Sequence, residues 1–96
     1  MNINYNQDFI GHFNNIWDHI SKESLSAARK FRTELKIKIE KIPYFPYKYR
    51  QSFHYSDKNI RDYIFKGYTI PYLIDEEKDT IIIMDIFKWQ DRKTKQ

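Results

Sequence analysis

Cysteine is absent from the 96-residue sequence, which excludes a disulfide framework and any metal site built on thiolates. Its absence is also compatible with a reducing cytoplasm. Histidine is scarce as well, and His12, His19 and His54 do not have the spacing of a metal site. We therefore expect that the protein holds no metal and no other cofactor.

Long apolar runs are also missing, since no stretch approaches the length needed to span a bilayer. Residues 1–13 lack the basic n-region and the continuous apolar h-region of a signal peptide. These absences predict a soluble, cytoplasmic protein without a membrane partner. At this length, 41% hydrophobic and 18% aromatic residues suffice for one core, so we expect a single domain over residues 1–96.

Acidic residues are outnumbered, because 17 lysines and arginines face 13 aspartates and glutamates, for a formal net charge of +4. A positive surface potential favours nucleic acid or an acidic protein as the partner. The charge balance does not choose between them, and many small basic proteins bind neither.

The part of the chain from residue 60 to residue 89 predicts three β-segments separated by turn residues. Residues 60–66 mix β-branched and aromatic side chains, residues 68–74 alternate, and residues 80–87 are almost continuously apolar. The last segment needs cover on both faces or a central place in a sheet. Pro71 removes a backbone donor from the middle segment, so we expect an edge strand or a bulge there.

The N-terminal part predicts a short strand and two helices. Residues 1–5 form the strand, and a helical spacing of apolar residues begins at Phe9, with Asn6 as the N-cap. A polar link, residues 21–24, precedes a second helix that Pro43 ends. The apolar stripe of this helix consists of Leu25, Ala28, Phe31, Leu35, Ile39 and Ile42. The two helices form an αα-hairpin that covers one side of the sheet.

Residues 43–55 interleave aromatic side chains with Lys48, Arg50 and His54. Two roles fit this composition. The rings can stack on bases while the cations neutralise phosphates, or the rings can close one end of the core while the charged groups reach water. The second role is the commoner one for such stripes.

The order of strand, helical hairpin, proline-marked loop and meander resembles the RelE/ParE superfamily of toxins from type II toxin–antitoxin modules. The residues that carry the resemblance are Ala27, Ala28 and Phe31 in the second helix, Arg61 before the pattern Tyr68-x-Ile70-x-Tyr72, and the last strand ending Ile86-Phe87-Lys88-Trp89. It covers nearly the whole chain. It implies an α+β fold, with an N-terminal strand and an αα-hairpin packed on one face of a curved antiparallel β-sheet.

The resemblance also implies function and partners. Such toxins are neutralised by a cognate antitoxin, whose tail wraps the toxin and blocks its working surface. RelE-like members are metal-free endonucleases that cut mRNA in the ribosomal A site, whereas ParE-like members inhibit DNA gyrase without known hydrolytic chemistry. We therefore expect a toxin that arrests growth through gyrase or through the ribosome and its mRNA, with a concave sheet face lined by cations.

Cleavage of RNA through its 2′-hydroxyl needs a base, an acid and cations at the scissile phosphate. YoeB-like members use a glutamate, an arginine and a histidine, but here Thr69 stands at the arginine position and no histidine follows His54. A RelE-like set is left, in which we predict catalytic roles for Arg61, Lys88 and Tyr72. The residues predicted to bind phosphate are Lys48, Arg50, Arg61 and Arg92.

Each of these residues also has a structural interpretation. Arg61 can form an ion pair with Asp57, Asp62 or Asp85, and Lys88 can simply be solvated at the end of a strand. The cations of the second helix alternate with glutamates, as on a solvated face with i,i+4 pairs. The missing histidine and arginine favour a ParE-like activity. Two other hypotheses are a small basic RNA-binding module without toxin activity and a family member that retains only antitoxin binding.

Overall fold

The protein, described here by a computed structural model over residues 1–88, packs two helices against a mixed sheet of five strands. The elements are β1 (Asn2–Tyr5), α1 (Gln7–Glu23), α2 (Leu25–Lys41), β2 (Ile60–Phe65), β3 (Tyr68–Asp75), β4 (Thr80–Ile83) and β5 (Phe87–Lys88). A 3-10 turn over Ile42–Tyr44 follows α2. The predicted α+β fold class is confirmed. Trp89 and Arg92 lie outside the described residues.

The helical hairpin is closed by side-chain caps at its start and at its bend. Asn6 is the N-cap of α1, as predicted, and its side-chain oxygen accepts a hydrogen bond of 2.9 Å from Gln7 N. Ser24 is the one residue between the two helices and caps both of them. Its N–H donates a hydrogen bond to Ile20 O, and its hydroxyl oxygen accepts one of 3.0 Å from Ala27 N. The predicted link over residues 21–24 is therefore a single residue, since α1 continues to Glu23.

The sheet has the strand order β1-β4-β3-β2, and β5 adds to β3 beyond the end of β4. Strands β2, β3 and β4 form the predicted antiparallel meander. Strand β1 pairs with β4 in parallel, with Ile3 opposite Ile81, which makes the sheet mixed. The parallel pairing is possible because the helical hairpin carries the chain away from the sheet after β1.

The last predicted segment, residues 80–87, is not one strand. The chain leaves the ladder after Ile83 and returns only at Phe87. Asp85 lies in the gap, where its Oδ1 accepts a hydrogen bond of 2.8 Å from Ile86 N and lies 2.6 Å from His12 Nδ1 on α1. The carboxylate thus takes up a backbone donor that a continuous strand would use for pairing.

This gap also explains Pro71, which lies in the central strand and at no sheet edge or bulge, contrary to prediction. Pro71 O accepts a hydrogen bond from Met84 N, so the backbone of Pro71 points toward the side of β4. The N–H that proline lacks would point the same way and would need an acceptor on a continued β4. Strand β4 has already ended there, so no ladder bond is lost.

The core lies between the helices and the inner face of the sheet. The hairpin side contributes the buried residues Phe9, Ala28, Phe31, Leu35, Ile39 and Ile42. The sheet contributes Tyr63, Phe65, Ile70, Tyr72, Ile74, Ile81 and Ile83. The predicted stripe of α2 is confirmed apart from Leu25, which is 48% exposed because it stands at the hairpin bend.

The outer face of the sheet, opposite the helices, is partly covered by the loop that precedes β2. Gln51 pairs with Arg61 in an isolated antiparallel bridge. The loop then places His54 edge-on against Phe87, with ring centroids 4.9 Å apart, and both side chains are buried. The prediction of an open face lined with cations is wrong in this part of the sheet, because the protein's own loop fills it.

Candidate functional site

The three residues predicted to be catalytic do not come together at one point. Arg61 and Tyr72 are direct partners across β2 and β3. Lys88 stands opposite Tyr68, four residues earlier on β3. At the usual rise of a β-strand this spacing corresponds to about 13 Å along β3, so Lys88 belongs to a different part of the sheet from the pair of Arg61 and Tyr72.

Tyr72 is buried and its hydroxyl has a partner. The side chain has no exposed surface, and Tyr72 Oη donates a hydrogen bond of 2.6 Å to Pro46 O. Burial raises the pKa of Tyr72 strongly, and the neighbouring Tyr49 raises it further. The phenol is therefore neutral over the physiological pH range, and it connects β3 to the loop after α2.

Arg61 also holds this loop. Its guanidinium donates to three backbone carbonyls, from Nε to Lys58 O at 3.2 Å and from Nη1 to Tyr49 O at 3.0 Å and Tyr47 O at 3.4 Å. It also lies 5.2 Å from the centre of the Tyr47 ring. The structural role expected of Arg61 takes the form of carbonyl contacts instead of an ion pair with one of the three aspartates.

Two of the residues predicted to bind phosphate, Lys48 and Arg50, lie on the loop after α2. Arg50 Nη2 lies 3.6 Å from the buried Asp62 carboxylate, and its guanidinium covers the Phe53 ring at 4.1 Å. Lys48 is exposed, with its ammonium 5.6 Å from the centre of the Tyr49 ring. Arg92 lies outside the described residues. Among the described residues that were predicted to bind phosphate, Lys48 is exposed and lines a cavity.

That cavity lies between the end of α2 and the loop and has a volume of about 410 Å³. We call it the cationic cleft. It is lined by Lys38, Lys41, Tyr44, Phe45, Lys48, Tyr49 and Tyr63. From the sequence, Lys38 and Lys41 were interpreted as part of a solvated helix face. The signal that could have identified them is their position in the last turn of α2, directly before a run of aromatic residues without an acidic side chain.

A second cavity, of about 210 Å³, is an apolar groove on the helical hairpin beside β1. We call it the hairpin groove. It is lined by Tyr5, Phe9, Phe13, Arg32, Leu35, Lys36 and Ile39. Three of its rings form a row, in which Tyr5 and Phe9 are 5.3 Å apart and Phe9 and Phe13 are 5.9 Å apart. Arg32 and Lys36 are exposed on α2, so the groove joins apolar walls to cations.

The remaining charges of α2 fit the solvated face predicted from the sequence. Lys30 Nζ lies 3.9 Å from Glu34 Oε1 in an i,i+4 pair, and Lys66 Nζ lies 2.9 Å from Glu34 Oε2. The hydrogen bond from Lys66 lowers the pKa of Glu34. Glu34 thus fixes the turn between β2 and β3 to the helix and is not part of either cavity.

Within residues 1–88, no three side chains of histidine, aspartate or glutamate are grouped closely enough to hold a metal ion. Neither helix of this part of the chain is long and apolar enough to cross a membrane.

Comparison with known proteins agrees with this architecture. The model of the family described as ParE toxin of type II toxin–antitoxin system, parDE, matches residues 3–91. A solved structure from a chromosomal ParDE toxin–antitoxin system of P. aeruginosa superposes with a TM-score of 0.74, covering 92% of this chain and 95% of that chain at 14% sequence identity. At this identity the similarity establishes the fold alone. No curated protein gives a significant match.

Proposed function

The chain belongs to the ParE toxin family of type II toxin–antitoxin systems, and from this premise we propose that it arrests growth by inhibiting DNA gyrase and that a cognate antitoxin neutralises it. The choice of gyrase over the ribosome rests on one observation. The residues predicted for RNA cleavage do not form one exposed cluster, since Tyr72 is fully buried and Lys88 stands about 13 Å along β3 from the pair of Arg61 and Tyr72.

The contacts of that pair support the same choice. Cleavage through a 2′-hydroxyl needs groups that reach the substrate and exchange protons with it. Tyr72 has no exposed surface, and its hydroxyl donates a hydrogen bond to Pro46 O. The Arg61 guanidinium donates hydrogen bonds to three backbone carbonyls of the loop. We infer that both are positioning residues, and that toxicity comes from binding a target through the surface they support.

Purified gyrase and a cell-free translation system separate the two targets. The toxin, produced together with its antitoxin and then freed from it, is expected to inhibit DNA supercoiling by gyrase. It is expected to leave translation and the length of the messages unchanged. Messages cut in a ribosome-dependent way, with supercoiling unaffected, would overturn the choice of gyrase and restore the nuclease hypothesis.

For the antitoxin we propose a binding site at the hairpin groove. An exposed apolar groove on a small protein is a common place for a partner to bury its own apolar side chains. The cations Arg32 and Lys36 beside this groove favour a partner segment with acidic residues. The occupant is therefore an amphipathic acidic segment of the antitoxin, laid with its apolar face against Phe9 and Phe13.

Charge reversal at the groove tests this site. The double variant Arg32→Glu and Lys36→Glu is expected to bind the antitoxin at least about tenfold more weakly while its toxicity persists. The control variant Lys22→Glu with Lys78→Glu makes the same change in net charge at exposed lysines outside the groove. Equal affinity of the antitoxin for both double variants would remove the groove from the interface.

A further inference from the structure

The cationic cleft contains side chains that the packing of the core does not require. Its lysines are exposed, and Tyr44 and Phe45 have 77% and 71% of their surfaces in water, more than the other large apolar residues described. Lysines in the last turn of a helix offset the negative end of the helix dipole. That explains Lys38 and Lys41, which end α2. It does not explain Lys48, which comes from the loop, or the two exposed rings.

The cleft carries charge of one sign. Three of the described residues that line it are lysines and none is acidic. The sequence has no aspartate or glutamate from residue 41 to residue 56, so the part of the loop that lines the cleft brings no compensating carboxylate. Several cations around one cavity raise the local positive potential. This arrangement favours a ligand with more than one negative charge.

The exposed rings stand on a loop that the fold holds in place. Tyr72 binds this loop at Pro46 O, and Arg61 binds it at Tyr49 O. The rings are therefore presented without the need for binding to order the loop, which lowers the entropic cost of binding a ligand.

The rings of Tyr44 and Phe45 also border a further cavity, of about 340 Å³, which lies on the loop itself. It shares Tyr44, Phe45 and Lys48 with the cationic cleft and adds Pro46 and Tyr47 to them. Apolar ring surface is thus accessible from both cavities, with a lysine common to both. A flat apolar group attached to an anion matches this combination, and such groups repeat along a nucleic acid strand.

From these observations we propose that the cationic cleft binds single-stranded nucleic acid, with its lysines at phosphates and its exposed rings stacked on bases. A duplex keeps its base faces inside the stack, so it could use only the lysines. A peptide whose only side chains are carboxylates has no flat apolar group to place on the rings. The site goes beyond gyrase inhibition and does not depend on it, because its test uses the purified full chain and no gyrase.

Fluorescence anisotropy of a labelled oligothymidylate of about 12 nucleotides measures this binding between about 50 and 200 mM salt. The triple variant Lys38→Gln, Lys41→Gln, Lys48→Gln should make the negative slope of log K against log salt less steep by about 2, because each phosphate contact on a single strand contributes about 0.7 to its magnitude. The double variant Tyr44→Ala with Phe45→Ala should weaken binding by about tenfold or more at an unchanged slope, because it removes stacking and no charge.

Two control variants match these changes outside the cleft. Neutralising the exposed lysines Lys22, Lys58 and Lys78 gives the same net charge and should keep the slope of the wild type. Phe53→Ala removes another ring that is 47% exposed and should keep the affinity. Circular dichroism melting checks that every variant folds.

Several results would overturn the proposal. One is equal loss of affinity in both lysine triples, and another is duplex DNA bound as tightly as the single strand. A third is displacement of the oligonucleotide by oligoglutamate, if the variant Tyr44→Ala with Phe45→Ala weakens oligoglutamate binding as much as it weakens oligothymidylate binding. That result would indicate an acidic protein segment as the occupant. Absence of measurable binding would overturn it as well. Each outcome is independent of the supercoiling assay, so this site and the choice of gyrase can fail separately.

Discussion

Replacing Tyr72 with phenylalanine removes one oxygen atom from the contact between the central strand and the loop after α2. That oxygen lies 2.6 Å from Pro46 O, and the side chain that carries it is fully buried. Loss of one such hydrogen bond lowers the free energy of unfolding by about 1 kcal/mol. In a chain of this size the loss corresponds to a Tm lower by roughly 4–8 °C.

The same substitution should change how stability depends on pH. Burial, assisted by Tyr49, raises the pKa of Tyr72 well above its ordinary value of 10.0. In the unfolded chain the phenol ionises near that ordinary value, whereas in the folded protein it keeps its proton. Its contribution to stability is therefore complete below about pH 10 and is lost as the pH rises further, by up to about 1.4 kcal/mol per pH unit.

These two effects have opposite signs, so the stability curves should cross. Below about pH 10 the wild type is the more stable protein by about 1 kcal/mol. At about pH 11 it has lost about 1.4 kcal/mol that the phenylalanine variant does not lose, and the order is equalised or reversed.

Urea unfolding followed by circular dichroism, repeated from about pH 8 to about pH 11, measures both parts of this prediction. Tyr44→Phe is the matched control, because that phenol is on a ring that is 77% exposed, and it should leave the free energy of unfolding at pH 8 unchanged. A difference between wild type and Tyr72→Phe that stays constant across the range would refute the reasoning about the buried phenol. Equal stability at pH 8 would refute the hydrogen bond.

Other substitutions test the fold. His12→Ala should lower the free energy of unfolding by about 1–3 kcal/mol, because the buried Asp85 carboxylate loses a partner 2.6 Å away; an unchanged urea midpoint would contradict this. Ser24→Ala should cost about 1 kcal/mol through loss of the cap on α2, and Ser24→Thr, which keeps a hydroxyl, should recover most of it. Gly67→Ala should cost roughly 1–2 kcal/mol although the space around it is open, because its φ of +85° disfavours a side chain; Gly67→Asn should cost less, and thermal melting ranks the two.

The helices and the meander could be predicted from sequence because their signals are local. An apolar residue every three or four positions places a helix against a core, and Asn6 and Pro43 mark where helices begin and end. Leu25 shows the limit of this reasoning. It fits the stripe of α2 by spacing, but the bend at Ser24 leaves it 48% exposed. Periodicity identifies a helix face, and tertiary packing decides how far along the helix that face is covered.

The break after β4 could not be predicted, because its cause lies far away in sequence. From the sequence Asp85 was a possible partner for Arg61, but the structure places it 2.6 Å from His12, 73 positions earlier in the chain. Pro71 is tolerated in the central strand because β4 ends before it, so no neighbouring carbonyl requires a hydrogen bond from an N–H at position 71. Each of the two residues is unusual alone, and together they mark one interruption of the ladder.

The residue types of the site were predictable, but their grouping was not. Arginine, tyrosine and lysine are residue types that can support RNA cleavage. Cleavage also requires that Arg61, Tyr72 and Lys88 reach the same phosphate, which their types alone do not ensure. Lys38 and Lys41 were assigned from the sequence to a solvated helix face and to no binding site, because α2 alone presents them to solvent. They face Lys48 only after the loop returns past the end of the helix. Convergence of this kind depends on the path of a loop, which carries no periodic signal.

The positions of Arg61 and Tyr72 change how a loss of toxicity at either residue should be interpreted. Both are anchored to the backbone of one loop, at Tyr49 O and Pro46 O, and that loop presents Tyr44, Phe45 and Lys48 to solvent. A substitution at either anchor would displace this surface, so reduced toxicity would be expected from a binding surface as much as from a catalytic site. Substitutions at Tyr72 distinguish these two roles. If the phenol only positions the loop, another side chain that holds the loop can replace it and toxicity persists. If the phenol transfers a proton in catalysis, a side chain that only holds the loop cannot replace it.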